Sequence, residues 1–293
     1  MPASSPNPSE GFPAGTMILT LRGIVPVEDV TLGDKVFTHD RQWHPVTSTG
    51  RRIADTVSVH CASLTTGLTA TAGRLFYTRT SPVLLAGGEA DGMSAARWTT
   101  AADLTDRHRL ASPIDFGAAL PVPDLPAAAD EAERFRAVGT MIRLKGAAAA
   151  AVRPDLVDWL AEHFGVYGAG RRFPAWVLTM PEELRRALLD GLVNDAPHRE
   201  QFQTRMASKA FMVGMRLLVC SLGLAGGMSY QRKPSNDGWL LSWKREGGRR
   251  RDHDGHRWHR AFRVEHGPRT EVFTLRVSGS GSLVADGITT HSL

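Results

Sequence analysis

From Met17 to Ser112 the apolar residues come in short runs, each closed by turn residues, and helical spacing is nearly absent. The runs are Met17–Leu21, Lys35–Thr38, Val57–Cys61, Leu68–Thr71, Leu75–Thr78 and Val83–Leu85, punctuated by Gly23, Gly33-Asp34, His39-Asp40 and Gly67. Such runs are too short to line one face of a helix, but they suit the strands of an all-β module with tight turns. One short helical turn is expected near Ala101–Leu104. Phe262 to Thr290 returns to the same β pattern.

Between these stretches the pattern changes. Pro121 to Pro126 (PVPDLP) reads as a stiff connector and Ala127 to Arg136 as polar and Ala-rich, which places a boundary near Leu120. Asp155–Phe164 sets Leu156, Trp159, Leu160 and His163 or Phe164 at helical spacing, with Pro154 at its start and Gly165 after its end. Pro181–Val193 repeats the spacing with Leu184, Leu188 and Leu192, and its first turn carries Glu182 and Glu183, as the helix dipole favours. A third helix is predicted from an N-cap at Ser208 to Leu222, stopped by Gly223, with strands at Met228–Arg232 and Trp239–Trp243 following it. The chain therefore reads as a leader (1–10), a β module in two segments (11–120 and 262–293), and an α+β insertion between them (121–261).

With 293 residues, 42% of them hydrophobic, the chain has ample material for a core and for one or two domains. Cys61 and Cys220 are too few for a disulfide framework or a cysteine-based zinc site, which points to a reduced, cytoplasmic protein. No apolar run reaches the ~18 residues of a membrane span. Met1–Glu10 is Pro/Ser-rich, lacks the basic and apolar regions of a signal peptide, and reads as a flexible leader. The net charge of +5 is compatible with a polyanionic partner and weak as a sign of one.

Lys244 to Arg260 concentrates that charge: Lys244, Arg245, Arg249, Arg250, Arg251, Arg257 and Arg260 stand against three acids. The segment reads either as an exposed basic loop or as a loop lying on the phosphates of double-stranded DNA. His253, His256 and His259 recur every three residues, but without an element to orient them they read as solvated and no metal is assigned.

Both ends of the chain carry longer motifs. Gly11 to Val46 (GFPAGTMILTLRGIVPVEDVTLGDKVFTHDRQWHPV) resembles the N-terminal block of an intein, with Gly11 where a Cys or Ser begins that block. Val284 to Leu293 (VADGITTHSL) resembles the C-terminal splice junction, with Ser292 at the position of the terminal Asn. The resemblance to the Hint (hedgehog/intein) family implies a mainly β horseshoe built from both ends of the chain, an inserted α+β domain, and flanking exteins if the chain is part of a host protein.

It also implies a set of site residues. A side chain at position 11 attacks the preceding carbonyl in such proteins; Gly11 has none. A "T-x-x-H" block polarises the scissile amide; here Thr71 aligns with the Thr and Arg74 takes the His position. In the next block Thr274 stands at the acid position, and the small residues Ser278–Ser282 lie where a His would fall. His291 is kept, whereas Ser292 lacks the carboxamide that cyclises. Thr71 also reads as a strand Thr paired across the sheet, and His291 as a surface His near a frayed end.

Asp155 to Leu224 resembles the second half of a LAGLIDADG homing endonuclease, through DLVDWLAEHFG, FPAWVL, PEELRRALLDGLVNDAP and ASKAFMVGMRLLVCSLG. In that family two helices pair so that two carboxylates meet at divalent metals. Here Gly191 is the motif glycine, Ala196 takes the metal-acid position, Pro197 the closing Gly, and Asp195 points about 100° away. No first copy is read between Ala137 and Val152. The resemblance thus implies an intein-type splicing domain with a remnant endonuclease, impaired in splicing and in DNA cleavage. It needs no cofactor, and a divalent metal enters only if nuclease chemistry survives. The alternatives are a non-catalytic DNA-binding protein and slow autocleavage at a terminus.

Overall fold

The computed structural model describes residues 10–81, 92–125, 130–144, 147–165, 168–193, 201–232, 237–244 and 252–292. It is mainly β with one helical region, and it divides into two compact units. The first comprises residues 1–21, 25–113 and 251–293, and the second residues 22–24 and 114–250.

In the first unit the strands before the division are β1 (Phe12–Pro13), β2 (Met17–Thr20), β3 (Gly23–Pro26, whose first two residues belong to the second unit), β4 (Lys35–Phe37), β5 (Trp43–Ala54), β6 (Thr56–Cys61), β7 (Leu64–Thr71), β8 (Leu75–Thr80), β9 (Arg97–Thr100) and β10 (His108–Pro113). A 3-10 turn covers Ala101–Asp103, where a short turn is expected. The expected run Val83–Leu85 lies outside the described residues.

The second unit holds six helices and three strands among the described residues: α1 (Glu131–Arg143), α2 (Ala147–Val152), α3 (Val157–Phe164), α4 (Trp176–Thr179), α5 (Glu182–Val193), β11 (Gln201–Met206), α6 (Lys209–Ser221), β12 (Ala225–Gln231) and β13 (Gly238–Lys244). β13 is the centre of an antiparallel sheet with β11 and β12 on either side. Ser208 caps α6 by accepting the Phe211 N–H at 3.1 Å, and Gly165 and Gly223 end α3 and α6 with φ of 72° and 80°. Each is a backbone shape that glycine adopts without a Cβ penalty.

Three helices, α1, α2 and α4, are absent from the sequence reading. α1 begins at Asp130, whose carboxylate accepts the Ala132 N–H at 2.9 Å, and it buries Phe135, Val138, Met141 and Ile142. It packs along α5 with reciprocal glycine contacts. A Cβ on Gly139 would run into the Leu188 carbonyl, and one on Gly191 would run into the Arg136 carbonyl. Each glycine thus meets the residue three before the other, the relation that two-fold symmetry produces.

The chain then returns to the first unit through β14 (Asp252–His253), β15 (His256–His266), β16 (Thr270–Val277), β17 (Ser282–Ala285) and β18 (Ile288–His291). The first half of β15 pairs with β10 and its second half with β6, the change falling at a register shift around Phe262. A bulge of this kind bends a strand so that it can change partners. β16 pairs with β5 and β1, β17 with β2, and β18 with β8. The β17–β18 hairpin turns at Asp286-Gly287, with φ of 44° and 75°, the pair of positive values that a type I′ turn requires.

These boundaries correct the sequence reading in three places. The division falls at 113/114, not near Leu120, because Leu120 is tied into the second unit by its N–H on Thr179 Oγ1 at 3.0 Å. Residues 252–261 belong to the β unit, not to the insertion, since β15 pairs with β10 there. Arg22–Ile24 joins the second unit, where the Ile24 N–H reaches the Phe173 carbonyl at 3.1 Å.

Candidate functional site

Two hydrogen bonds clasp the start of the described chain to the end of β7. Gly11 donates its N–H to Thr71 Oγ1 at 3.0 Å, and Thr71 donates its own N–H to the Gly11 carbonyl at 3.1 Å. Thr71 is also paired across the sheet with Thr56, as its reading as a strand Thr expects. A Cβ at Gly11 would sit 2.8 Å from Val272 Cγ2 and 2.9 Å from Val272 Cβ. The position lacks a nucleophile, and β16 fills the space where its side chain would start.

Three residues further, Arg74 lies fully buried and touches both ends of the unit. Its Nη1 donates to Glu10 Oε2 at 3.3 Å and its Nη2 to Thr290 Oγ1 at 3.4 Å. Its guanidinium also stands over the Phe12 ring, 4.2 Å from the centroid. Burial lowers its pKa to about 10, with the Glu10 charge acting the other way. At neutral pH it therefore remains a cation, able to hold a carboxylate and unable to accept a proton. Glu10, read from sequence as the end of a flexible leader, is buried. Residues 1–9 lie outside the described set.

At the other end His291 is half-buried, its ring 4.8 Å from Trp98. Burial lowers its pKa first, and the Arg74 charge, with His39 when that ring is protonated, lowers it further. It is held within β18, so the reading of a frayed end does not apply. Ser292 is buried: its N–H and its hydroxyl both donate to the Gly281 carbonyl, at 2.6 and 2.7 Å, and Val277 N–H donates to its Oγ at 3.3 Å. Thr274, at the acid position, lies against Gly50 of β5.

Residues 10–111 match the Hint domain family model. The match spans Gly11, Thr71 and Arg74 together with the adjoining strands β1, β7 and β8. No curated protein matches the chain. Among solved structures, the chain is similar to the gp41-1 intein (9% identity, 96% of this chain and 98% of that one, TM-score 0.37). It is also similar to a DnaB intein from Synechocystis sp. PCC 6803 (10% identity, 97% and 99% covered, TM-score 0.38). A third likeness is to the G-1F mutant of the Ssp DnaB mini-intein variant M86 (12% identity, 97% and 99% covered, TM-score 0.38).

The remaining expected site residues are dispersed. Gly191 faces α1 as described, while Asp195, Ala196 and Pro197 lie outside the described residues, as do Arg245, Arg249, Arg250 and Arg251. Lys244 is exposed at the end of β13. Arg257 corrects the loop reading: it is buried on β15, with its Nε on Asp252 Oδ1 at 2.6 Å and Nη2 on Asp252 Oδ2 at 2.7 Å. Arg260, on the same strand, is exposed and stands 3.7 Å from Asp106. His256 and His259, read as solvated, are buried on β15 as well. Among the described residues no group of three or more His, Cys, Asp or Glu is placed to hold a metal, and no helix is long and apolar enough to cross a membrane.

The sequence reading passed over Glu10, His39, Trp98 and Ser282. Glu10 is a lone charge beside the block, and His39 lies within it at a turn. Ser282 sits in the run of small residues.

Proposed function

We propose that this chain is an intein-type Hint domain whose splicing chemistry is impaired, carrying a remnant of a LAGLIDADG-like insertion. The observation that carries the reading is Arg74, bonded to Glu10, one residue before one junction position, and to Thr290, two residues before the other. A splicing fold must bring its two ends to one place, and a buried residue that holds both fits that need. Impairment follows from the residues: Gly11 offers no nucleophile, Arg74 cannot shuttle a proton as a His does, and Ser292 has no carboxamide. Intact-mass spectrometry of the chain fused to longer sequences at both ends, followed over days with and without thiol, tests it. An unchanged bond at Glu10–Gly11 and at Ser292–Leu293 is expected, and cleavage at either overturns the impairment.

The reciprocal packing of Gly139 and Gly191 favours the insertion half of the reading, since paired helices are what a two-motif nuclease needs. Any surviving nuclease chemistry would require a divalent metal. The alternative of a non-catalytic DNA-binding protein has less support, because Arg257 is committed to Asp252. Salt-dependent affinity for double-stranded DNA would favour that alternative.

A further inference from the structure

The Gly281–Ser282 peptide bond lies between His39, which the junction chemistry above does not use, and the Ser292 hydroxyl and N–H. Ser282 is fully buried. Its Oγ lies 2.9 Å from His39 Nδ1 and accepts the His39 backbone N–H at 2.9 Å, with Ser280 Oγ at 3.2 Å. The backbone N–H fills an acceptor site on the hydroxyl, and with His39 in its Nε2–H tautomer the hydroxyl donates to the imidazole. On the other side of the bond, the Gly281 carbonyl receives two donors, Ser292 N–H at 2.6 Å and Ser292 Oγ–H at 2.7 Å. The first is an ordinary ladder bond. The second is additional, and the Val277 N–H on Ser292 Oγ fixes its direction. Nucleophile with base on one side and paired donors on the carbonyl oxygen are the parts that acyl transfer needs.

We propose that Gly281–Ser282 is a site of autocatalytic N→O acyl shift, with Ser282 as nucleophile, His39 as general base and Ser292 as the oxyanion donor. Ser282 Oγ attacks the Gly281 carbonyl carbon while its proton passes to His39 Nδ1, and the oxyanion rests on the two Ser292 donors. The C–N bond breaks, His39 returns the proton to the leaving nitrogen, and an ester joins Gly281 to Ser282 Oγ. Water then hydrolyses the ester, leaving a Gly281 carboxylate and a new chain starting at Ser282. Burial holds the His39 imidazole below its ordinary pKa, which keeps it neutral and able to accept the proton. The bond differs from both junction positions, so the proposal stands apart from the splicing reading.

The test is denaturing intact-mass spectrometry of the full chain, incubated with and without hydroxylamine. Release of the fragment from Ser282 to the C-terminus is expected, together with a Gly281 hydroxamate when hydroxylamine is present. Ser282→Ala should abolish release, His39→Gln should slow it by at least about 10²-fold, and Ser292→Ala by about 10²–10³-fold. Ser282→Cys, which keeps the shape of the site, should cleave and respond to added thiol. An unchanged mass for both the parent and Ser282→Cys overturns the proposal, as does release that persists in Ser282→Ala or begins at another bond.

Discussion

Arg74 holds Glu10 at 3.3 Å in a site where their side chains are 1% and 6% exposed. A charge so buried is tolerated because its partner is present, and removing one member leaves the other desolvated and uncompensated. Arg74→Ala should therefore cost about 3–5 kcal/mol in urea unfolding. Replacing both, as Glu10→Gln with Arg74→Met, should cost much less than the sum of the single changes. An additive double-mutant cycle would show that the pair is not coupled.

Gly11→Ala adds a single methyl group, directed at Val272. Overpacking of this kind costs about 1–3 kcal/mol. Val272→Ala in the same chain should recover part of it, read as a rise in the urea midpoint over Gly11→Ala alone. Gly11→Cys should carry the same penalty, so restoring a nucleophile requires a compensating change in β16.

Gly139→Ala and Gly191→Ala should each destabilise, against the usual gain of about 0.5–1 kcal/mol for Gly→Ala within a helix. A methyl group at either position meets the carbonyl of the facing helix. Thermal unfolding of each variant measures the sign. A gain at either position would mean that α1 and α5 lie further apart than described.

Four histidines in the β unit, His39, His108, His256 and His291, have their pKa lowered, in each case first by burial. Below the ordinary value of 6.5 the unfolded chain takes up protons that the folded one resists. Their contribution to stability is complete above that pH and is lost as the pH falls from 6.5 through the lowered folded values. Urea midpoints at successive pH values should decline over that window, and His291→Gln should make the decline shallower.

The strands of the β unit were legible because short apolar runs between turn residues have few other uses, as Met17–Thr20 and Thr56–Cys61 illustrate. α1 was missed although Phe135, Val138, Met141 and Ile142 lie at helical spacing, because Gly139 reads as a breaker when its contact with α5 is unseen. The charge density at the start of β15 suggests a loop, and only the fold shows Arg257 neutralised by Asp252 and Arg79 by Asp254. At the site, Gly11, Thr71 and Arg74 follow from one local block. The bond between His39 and Ser282 joins residues 243 apart, a separation at which spacing carries no information.

The pairing of β16 with β5 sets Thr270 opposite Ala54, and that of β18 with β8 sets Thr290 opposite Phe76. On a ribosome, the strands that accept these partners emerge first and wait while the whole second unit is made. The β unit closes only when its last segment arrives, across a loop whose ordering must be completed before the contacts repay it. Refolding should thus be slow for a chain of this size. Until then β5 and β8 stand with open edges, the state in which such a chain is most exposed to pairing with a neighbour.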